Sequence, residues 1–399
     1  MRHKPIVRFF LVIIGITALI VMPRFLAQAE DVEELTCSLQ AERAEYGAAE
    51  AIILRFTLTN NSDKTLNVLK WRTPLEGFNA DIFLVEIEGK RVIYIGRLVK
   101  RGAPPPEDYV SLAPGKSVSS VVDIGKGYAV YDAGDYSVQF KSSLLDFGYE
   151  DPARLSAKRT LKRKAIQSNT VSFKLLEKKE PPAPPAPRVT DVAEKQPVFI
   201  GCSQTQRDTL NSALVEAREY ASGALIALQG TSVSDRPNAT RYTTWFGVYS
   251  SSRYNTIINN FDKIHDALSN ETITFNCDCN ENYYAYVYPN DPYKIYLCNL
   301  FWSAPLVGTD SKMGTIIHEI SHFYVVTGTK DHAYGHANCK NLANTDPSKA
   351  IQNADSHEYF AENTPPLSMG LELIAYSLLA ILLLVLMYRV IHNRRRKAA

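Results

Sequence analysis

The rhythm of apolar and polar positions changes twice along the chain. From residue 31 to about 176, short stretches alternate apolar and polar residues, the period of a half-buried strand. Residues 53–59 follow this pattern, and so do 81–87 and 91–95, which flank Glu88-Gly89-Lys90 as a hairpin would. Stretches 117–124, 136–140 and 170–175 add further strands, separated by turn residues such as Asn60-Asn61 and Ala113-Pro114-Gly115. About seven short strands in roughly 145 residues predict an all-β, immunoglobulin-like sandwich. Pro181, Pro182, Pro184, Pro185 and Pro187 then crowd into a stiff polyproline spacer. Beyond residue 198 the period becomes helical. Ser203-Gln204-Thr205-Gln206 has the form of a capping box, and Leu210, Ala213, Leu214, Ala217 and Ala221 follow at helical spacing. Two short strands are expected at 283–288 and 294–297, and a helix at 315–326. This is an α+β module of about 165 residues, large enough for its own core.

The two ends carry longer apolar runs. Arg2, His3, Lys4 and Arg8 precede residues 9–22, and Ala27-Gln28-Ala29 offers a small-x-small cleavage site, the pattern of an export signal. Residues 367–388 contain one charge, Glu372, and are followed by Arg389 and Arg394-Arg395-Arg396-Lys397. About 22 such residues cross ~30 Å of hydrocarbon as a helix, and the basic cluster keeps the far end cytoplasmic. The expected plan is a signal peptide at 1–29, a β-sandwich at 30–176 and a proline-rich linker at 177–197. An α+β domain at 198–366, a transmembrane helix at 367–391 and a basic tail at 392–399 complete it. The body of the protein is thus expected outside the cytoplasm, with the bilayer as a partner through the C-terminal helix.

Composition narrows the function. The chain has 44 Lys plus Arg against 42 Asp plus Glu, a balance that argues against nucleic acid as a partner. Residues 198–366 alone hold 17 acidic and 11 basic residues, a bias that suits a cationic substrate. Six cysteines, four of them in the second half of the exported region, suggest disulfides in an oxidising compartment. Cys277-Asp278-Cys279 lacks the second close pair that a zinc knuckle needs.

The strongest chemical signal is His318-Glu319-Ile320-Ser321-His322. Positions i and i+4 share a helix face, so both imidazoles reach one Zn²⁺, and Glu319 lies beside it as a candidate general base. A catalytic zinc needs a third protein ligand while keeping one position open. The metzincin spacing fails, because Val325 and Gly328 stand where a glycine and a histidine belong. Glu358 is a formal gluzincin-type candidate. Asp331 is the nearer one, in Gly328-Thr329-Lys330-Asp331-His332-Ala333-Tyr334-Gly335, whose glycines permit a reversal after the helix. His332 and His336 read as exposed bystanders, and the basic stretch 154–164 as a solvated loop.

HExxH followed by GTxDxxYG resembles the aspzincin signature of the deuterolysin-type zinc endopeptidases, and within them the peptidyl-Lys metalloendopeptidases. Arg241-Tyr242-Thr243-Thr244-Trp245-Phe246-Gly247, Tyr286-Val287-Tyr288-Pro289, Gly308-Thr309-Asp310 and Asn353-Ala354-Asp355-Ser356-His357-Glu358-Tyr359-Phe360 carry the same likeness. It spans about 200–364 and leaves the sandwich, linker and membrane segment unexplained. The resemblance implies a zincin-type fold and one catalytic zinc held by His318, His322 and Asp331. It implies Glu319 as general base and Tyr334 as hydrogen-bond donor to the oxyanion. It also implies that Asp355 and Glu358 line the pocket for the residue after the scissile bond, so that protein or peptide substrates are cut on the amino side of an accessible lysine. Bridges Cys202–Cys277 and Cys279–Cys298 are implied in the same way, leaving Cys37 and Cys339. A deuterolysin-like protease of broader specificity and an inert zincin scaffold with a binding role are the alternatives. The sandwich is expected to act as a blocking prodomain, a folding aid or a presentation module. Lys178, Lys179 and Lys195 mark places where the enzyme would trim itself.

Overall fold

The computed structural model describes residues 34–158, 160–181 and 195–363. The signal peptide, most of the linker, the transmembrane segment and the basic tail expected from the sequence lie outside these residues. Among the described residues, no helix is long and apolar enough to cross a membrane.

The first unit is built mainly of strands, as its alternation predicts, with a short α-helix at Pro152–Ser156. In Ile53–Asn60, Leu54, Phe56 and Leu58 are buried, while Arg55, Thr57 and Thr59 point outward. This strand runs antiparallel between Leu35–Ala41 and Ser117–Asp123. A second sheet has Gly134–Leu144 between Lys164–Leu175 and Phe83–Ile87, and the edge-to-face pair Phe56–Phe140 locks one sheet to the other. The hairpin expected around Glu88-Gly89-Lys90 is present between Phe83–Ile87 and Lys90–Arg91. Its turn places Glu88 at φ 48° and Gly89 at φ 76°, the left-handed pair that a tight hairpin requires. The described strands form three sheets rather than the two of an immunoglobulin-like sandwich, the third joining Phe147–Gly148, Leu66–Leu69 and Tyr109–Leu112. One strand leaves the unit altogether.

That strand is Leu98–Lys100. It completes the sheet of the second unit, whose order is Val198–Ile200, Thr274–Asn276, Lys294–Leu297, Ala285–Val287 and Leu98–Lys100. The first three run parallel; Ala285–Val287 is antiparallel to both its neighbours. Helix Gln204–Gly230 begins with the expected capping box at Ser203 and Gln206 and packs on Ser251–Asn270. Leu210, Leu214, Ile257, Phe261, Ile316, Ile320 and Phe360 belong to the core between the helices and the sheet. Disulfides join Cys202 to Cys277 and Cys279 to Cys298. Cys37 and Cys339 are in neither bridge.

Two local expectations need correction. The helix expected at 315–326 runs instead over Lys312–His322, capped by the Ser311 hydroxyl at Gly314 N. Phe323 leaves helical geometry, and the carbonyl of Ser321 accepts from Thr327 Oγ1 and Thr329 N. With the last turn satisfied from outside, Gly328 at φ 64° reverses the chain. The stretch 154–164 is not simply a solvated loop. Leu155 and Leu161 are buried, and Arg163 donates from its guanidinium to the carbonyl of His332 in the second unit.

Candidate active site

The helix Lys312–His322 is buried along its whole length, so its polar residues need partners inside the protein. His318 and His322 project from one face and bring their Nε2 atoms within 3.1 Å of each other. The reversal at Gly328 returns Asp331, whose Oδ1 lies 3.2 Å from His318 Nε2 and 3.3 Å from His322 Nε2. His322 Nδ1 faces the Thr329 carbonyl at 3.0 Å and His318 Nδ1 faces Asp355 Oδ1 at 2.8 Å. With Nδ1 protonated toward these acceptors, each ring can turn an Nε2 lone pair to a cation shared with the other ring and Asp331. Two lone pairs and a buried carboxylate without a hydrogen-bond donor, converging on one point, are the donor set of a divalent cation. Burial would raise the Asp331 carboxyl, but the two imidazoles outweigh it and hold the group far below the usual carboxylate range.

Glu319 stands next in the helix, fully buried, with neither oxygen hydrogen-bonded. Burial pushes its pKa up to about 8, opposed by His318. A carboxylate poised in this range beside a cation site is suited to move a proton.

On the far side of the His318 ring lies a second cluster. Helix Ala354–Glu362 packs against Lys312–His322, and Gly314 leaves room at the contact for the Glu358 and Glu362 side chains. Asp355 and Glu358, one turn apart, meet at the Nδ1 edge of His318, with Glu358 Oε2 at 3.3 Å. Asp355 Oδ2 also accepts from Gly335 N and lies 3.2 Å from the Tyr359 hydroxyl, which donates to Asp310 at 2.6 Å. Glu358 is thus behind the ring rather than among the Nε2 atoms. Asp331 occupies the position that the sequence left open between the two.

The cation in this second cluster is an ammonium. Lys100, on the strand contributed by the first unit, places Nζ 2.6 Å from Glu358, 3.6 Å from Asp355 and 3.9 Å from Asp310. Its side chain is 1% exposed, and Nζ sits over the Tyr284 ring. Burial would strip the charge, but Asp355, Glu358 and Asp310 outweigh it and keep the group protonated. Tyr334, also buried, donates its hydroxyl to the carbonyl of Val99 at 2.9 Å and packs edge-on against Trp71 of the first unit. Burial lifts its pKa well above the ordinary phenol value, which keeps the proton on oxygen.

His322, Asp331, Asp355 and Glu358 meet the His318 ring directly, Glu319 follows it in the helix, and Tyr334 reaches the Val99 carbonyl beside the Lys100 pocket. His332 and His336 are half-buried rather than exposed, and burial lowers the pKa of both, to about 3 in His332. Asp310 and Tyr284 were not singled out by sequence reasoning; Gly308-Thr309-Asp310 appeared there only as part of a motif. Lys100 and Arg72, which donates to the Asp331 carbonyl at 2.6 Å, carried no sequence signal at all.

An HExxH helix with an aspartate returned by a glycine-rich loop, set on a mixed α/β sheet, defines an aspartate-type zincin metallopeptidase. The family model for the lysine-specific metallo-endopeptidases matches residues 231–362. An extracellular protease of Aeromonas hydrophila is 42% identical over 329 residues, covering 80% of this chain and 90% of that protein. Peptidyl-Lys metalloendopeptidases of Grifola frondosa and Pleurotus ostreatus are 36% and 47% identical. The match covers 77% of this chain and 87% of the Grifola protein, against 43% and 99% for the Pleurotus protein. The chain belongs to the lysine-specific metallo-endopeptidase family. It is a zinc-dependent endopeptidase resembling the peptidyl-Lys enzymes.

Proposed function

We propose that this endopeptidase hydrolyses peptide bonds on the amino side of lysine, with His318, His322 and Asp331 as the zinc ligands. A zinc ion at these ligands would acidify a water and polarise the carbonyl to be attacked. Glu319 accepts the proton of the attacking water and returns it to the α-nitrogen of the departing lysine segment. Tyr334 donates to the oxygen on which charge develops. Asp355, Glu358 and Asp310 receive the lysine ammonium, with the Tyr284 ring along its approach. The single observation that carries this reading is the pocket itself, where two buried carboxylates one helical turn apart hold an ammonium ion 2.6 Å from the nearer oxygen.

The sandwich reads as a prodomain, because its strand Leu98–Lys100 lies along the edge of the catalytic sheet where a substrate strand would pair. An extracytoplasmic location agrees with the two bridges and with the extracellular relative. Anchoring by 367–391 rests on the apolar run and the basic residues after it. The test is a digest of a mixed peptide pool by residues 30–366 and by 198–366, with and without a chelator, every cut mapped by mass spectrometry. Chelator-sensitive cuts before lysine are the expected result with 198–366, and fewer of them with 30–366. Zinc-dependent cuts without lysine preference would remove Asp355 and Glu358 from the specificity pocket.

A further inference from the structure

We propose that the Val99–Lys100 bond is a processing site that this enzyme cuts in its own chain; the proposal rests on the lysine-directed reading above. Three independent contacts set the bond in the register of a substrate. First, Leu98–Lys100 pairs antiparallel with the sheet-edge strand, Lys100 opposite Ala285 and Val99 opposite Tyr286, and Tyr284 N donates to the Lys100 carbonyl at 3.0 Å. Second, the Lys100 ammonium fills the acid pocket. Third, the carbonyl of Val99, the residue before that lysine, accepts from the Tyr334 hydroxyl at 2.9 Å. An enzyme that cuts before lysine needs the pocket on the lysine side chain and the oxyanion donor on the preceding carbonyl. Both conditions hold here for one peptide bond.

Chain direction decides between a substrate and a mere plug. A strand running the opposite way could seat a lysine in the pocket, but its carbonyl facing Tyr334 would belong to the residue after the lysine. Here the polarity is that of a substrate. The surrounding contacts press the bond into place: Arg97 bridges to Glu281 at 2.7 Å on one side, and Arg101, buried beside Trp71, bridges to Glu76 at 2.6 Å on the other. Glu319, which would move the proton, has both oxygens free of hydrogen bonds. The step is a plain hydrolysis. The C–N bond between Val99 and Lys100 breaks, hydroxide from water joins the Val99 carbonyl carbon, and the remaining protons leave Lys100 with a free amine and Val99 with a carboxylate.

The cut does not by itself open the cleft. Residues on both sides of it are woven into shared sheets, with Ile53–Asn60 paired to Ser117–Asp123 and Phe83–Ile87 paired to Gly134–Leu144. A nicked sandwich therefore stays assembled and keeps its place, held also by Arg72 on the Asp331 carbonyl and Lys330 on Asp81.

The experiment uses the full chain, purified with zinc removed and then given zinc. Intact mass and N-terminal sequencing under denaturing conditions should reveal a fragment beginning at Lys100, at a rate unchanged by dilution, while native chromatography shows the pieces together. Glu319→Gln should remain whole. Lys100→Ala, and Lys100→Met as a variant that keeps the side-chain stem, should lack this fragment while retaining the native circular dichroism. A second readout needs no turnover. A labelled peptide with a single lysine should bind the Glu319→Gln chain at least about ten-fold more tightly once Lys100→Ala is added, because a tethered occupant competes at an effective concentration of roughly millimolar. If the zinc-loaded wild type cuts added peptides before lysine yet keeps its own 99–100 bond, the proposal is overturned and the lysine reading stands. If the zinc-loaded Lys100→Ala chain and the wild type both cut without regard to lysine, the reading falls and takes the proposal with it.

Discussion

The two sides of the His318 ring invite comparison, because each gathers buried groups suited to a cation and they are built by different means. On the Nε2 side the groups come from residues 318, 322 and 331, within one helix and the loop that follows it. On the Nδ1 side they come from a distant helix, the loop at Asp310 and a strand of another unit. The first side is set by local geometry and offers the nitrogen and carboxylate donors that suit a zinc ion. The second is shaped by packing between elements, and an ammonium on a flexible stem already fills it. Asp355 belongs to both, touching His318 Nδ1 at 2.8 Å while facing the Lys100 ammonium at 3.6 Å. On the proposed reading, metal affinity and lysine recognition share a carboxylate.

The largest effect should come from Glu319→Gln, which leaves the ligands in place. In the enzyme freed of the sandwich, turnover should fall by roughly 10²–10⁴-fold, with zinc content by elemental analysis unchanged. Loss of zinc along with turnover would merge Glu319 into the metal side of the comparison. Tyr334→Phe should reduce kcat by about 10²–10³ with little change in KM for a lysine peptide, since the hydroxyl serves charge that develops during reaction. A change confined to KM would make Tyr334 a packing residue.

Asp355→Asn tests the shared carboxylate. Zinc affinity, measured by chelator competition, should weaken about 10–100-fold, and preference for lysine should decline in the same variant. Glu358→Gln should weaken lysine preference with a smaller effect on zinc, because Glu358 is the farther of the two from His318 Nδ1. Equal effects on zinc would dissolve the distinction between the two sides. Arg72→Met removes the donor to the Asp331 carbonyl and should destabilise the full chain by about 1–3 kcal/mol in chemical denaturation. The same substitution should accelerate release of the sandwich after processing.

The last expected effect concerns pH and is absent at neutrality. His357, buried with Nδ1 on the Asn353 carbonyl and Nε2 on Asn260, has its pKa pushed down to about 4 by burial. Its folded-state pKa lies below the unfolded value of about 6.5, so the unfolded chain binds the extra proton first. The contribution is fully present above about pH 6.5 and declines as pH falls toward 4, by at most ~1.4 kcal/mol per pH unit. Denaturation of the wild type and of His357→Gln should show a shallower acid slope in the variant, the remainder coming from His332 and His336. Parallel slopes would assign the acid sensitivity to other groups.

Much of the metal side was legible because its determinants are close in sequence. Two histidines four apart reveal their shared face, and the glycines after them reveal a reversal. The helix end was read too late, at 326, because the external capping of Ser321 by Thr327 and Thr329 depends on the folded loop. The strands of the first unit were visible as alternation, but 98–100 was not among them. Leu98, Val99 and Lys100 are all buried, so no alternation marks the strand, and its partner lies 185 or more residues away. Lysines beside the linker drew attention as self-processing sites on composition alone. In the fold Lys178 and Lys195 form ion pairs with Asp132 and Glu271, and Lys179 donates to the Glu50 carbonyl, contacts that leave that expectation open.

By itself the sequence determined the two-unit division, the ligand spacing of the metal helix and the pair of acids one turn apart, because periodicity and short-range helix geometry are local properties. It could not determine what those acids hold. Lys100 reaches them only because a strand of the sandwich finds an unsatisfied sheet edge in the other unit, and buried carboxylates admit a cation that neutralises them. That pairing is decided by backbone hydrogen bonds and charge compensation between distant segments, which exist only once both units have folded.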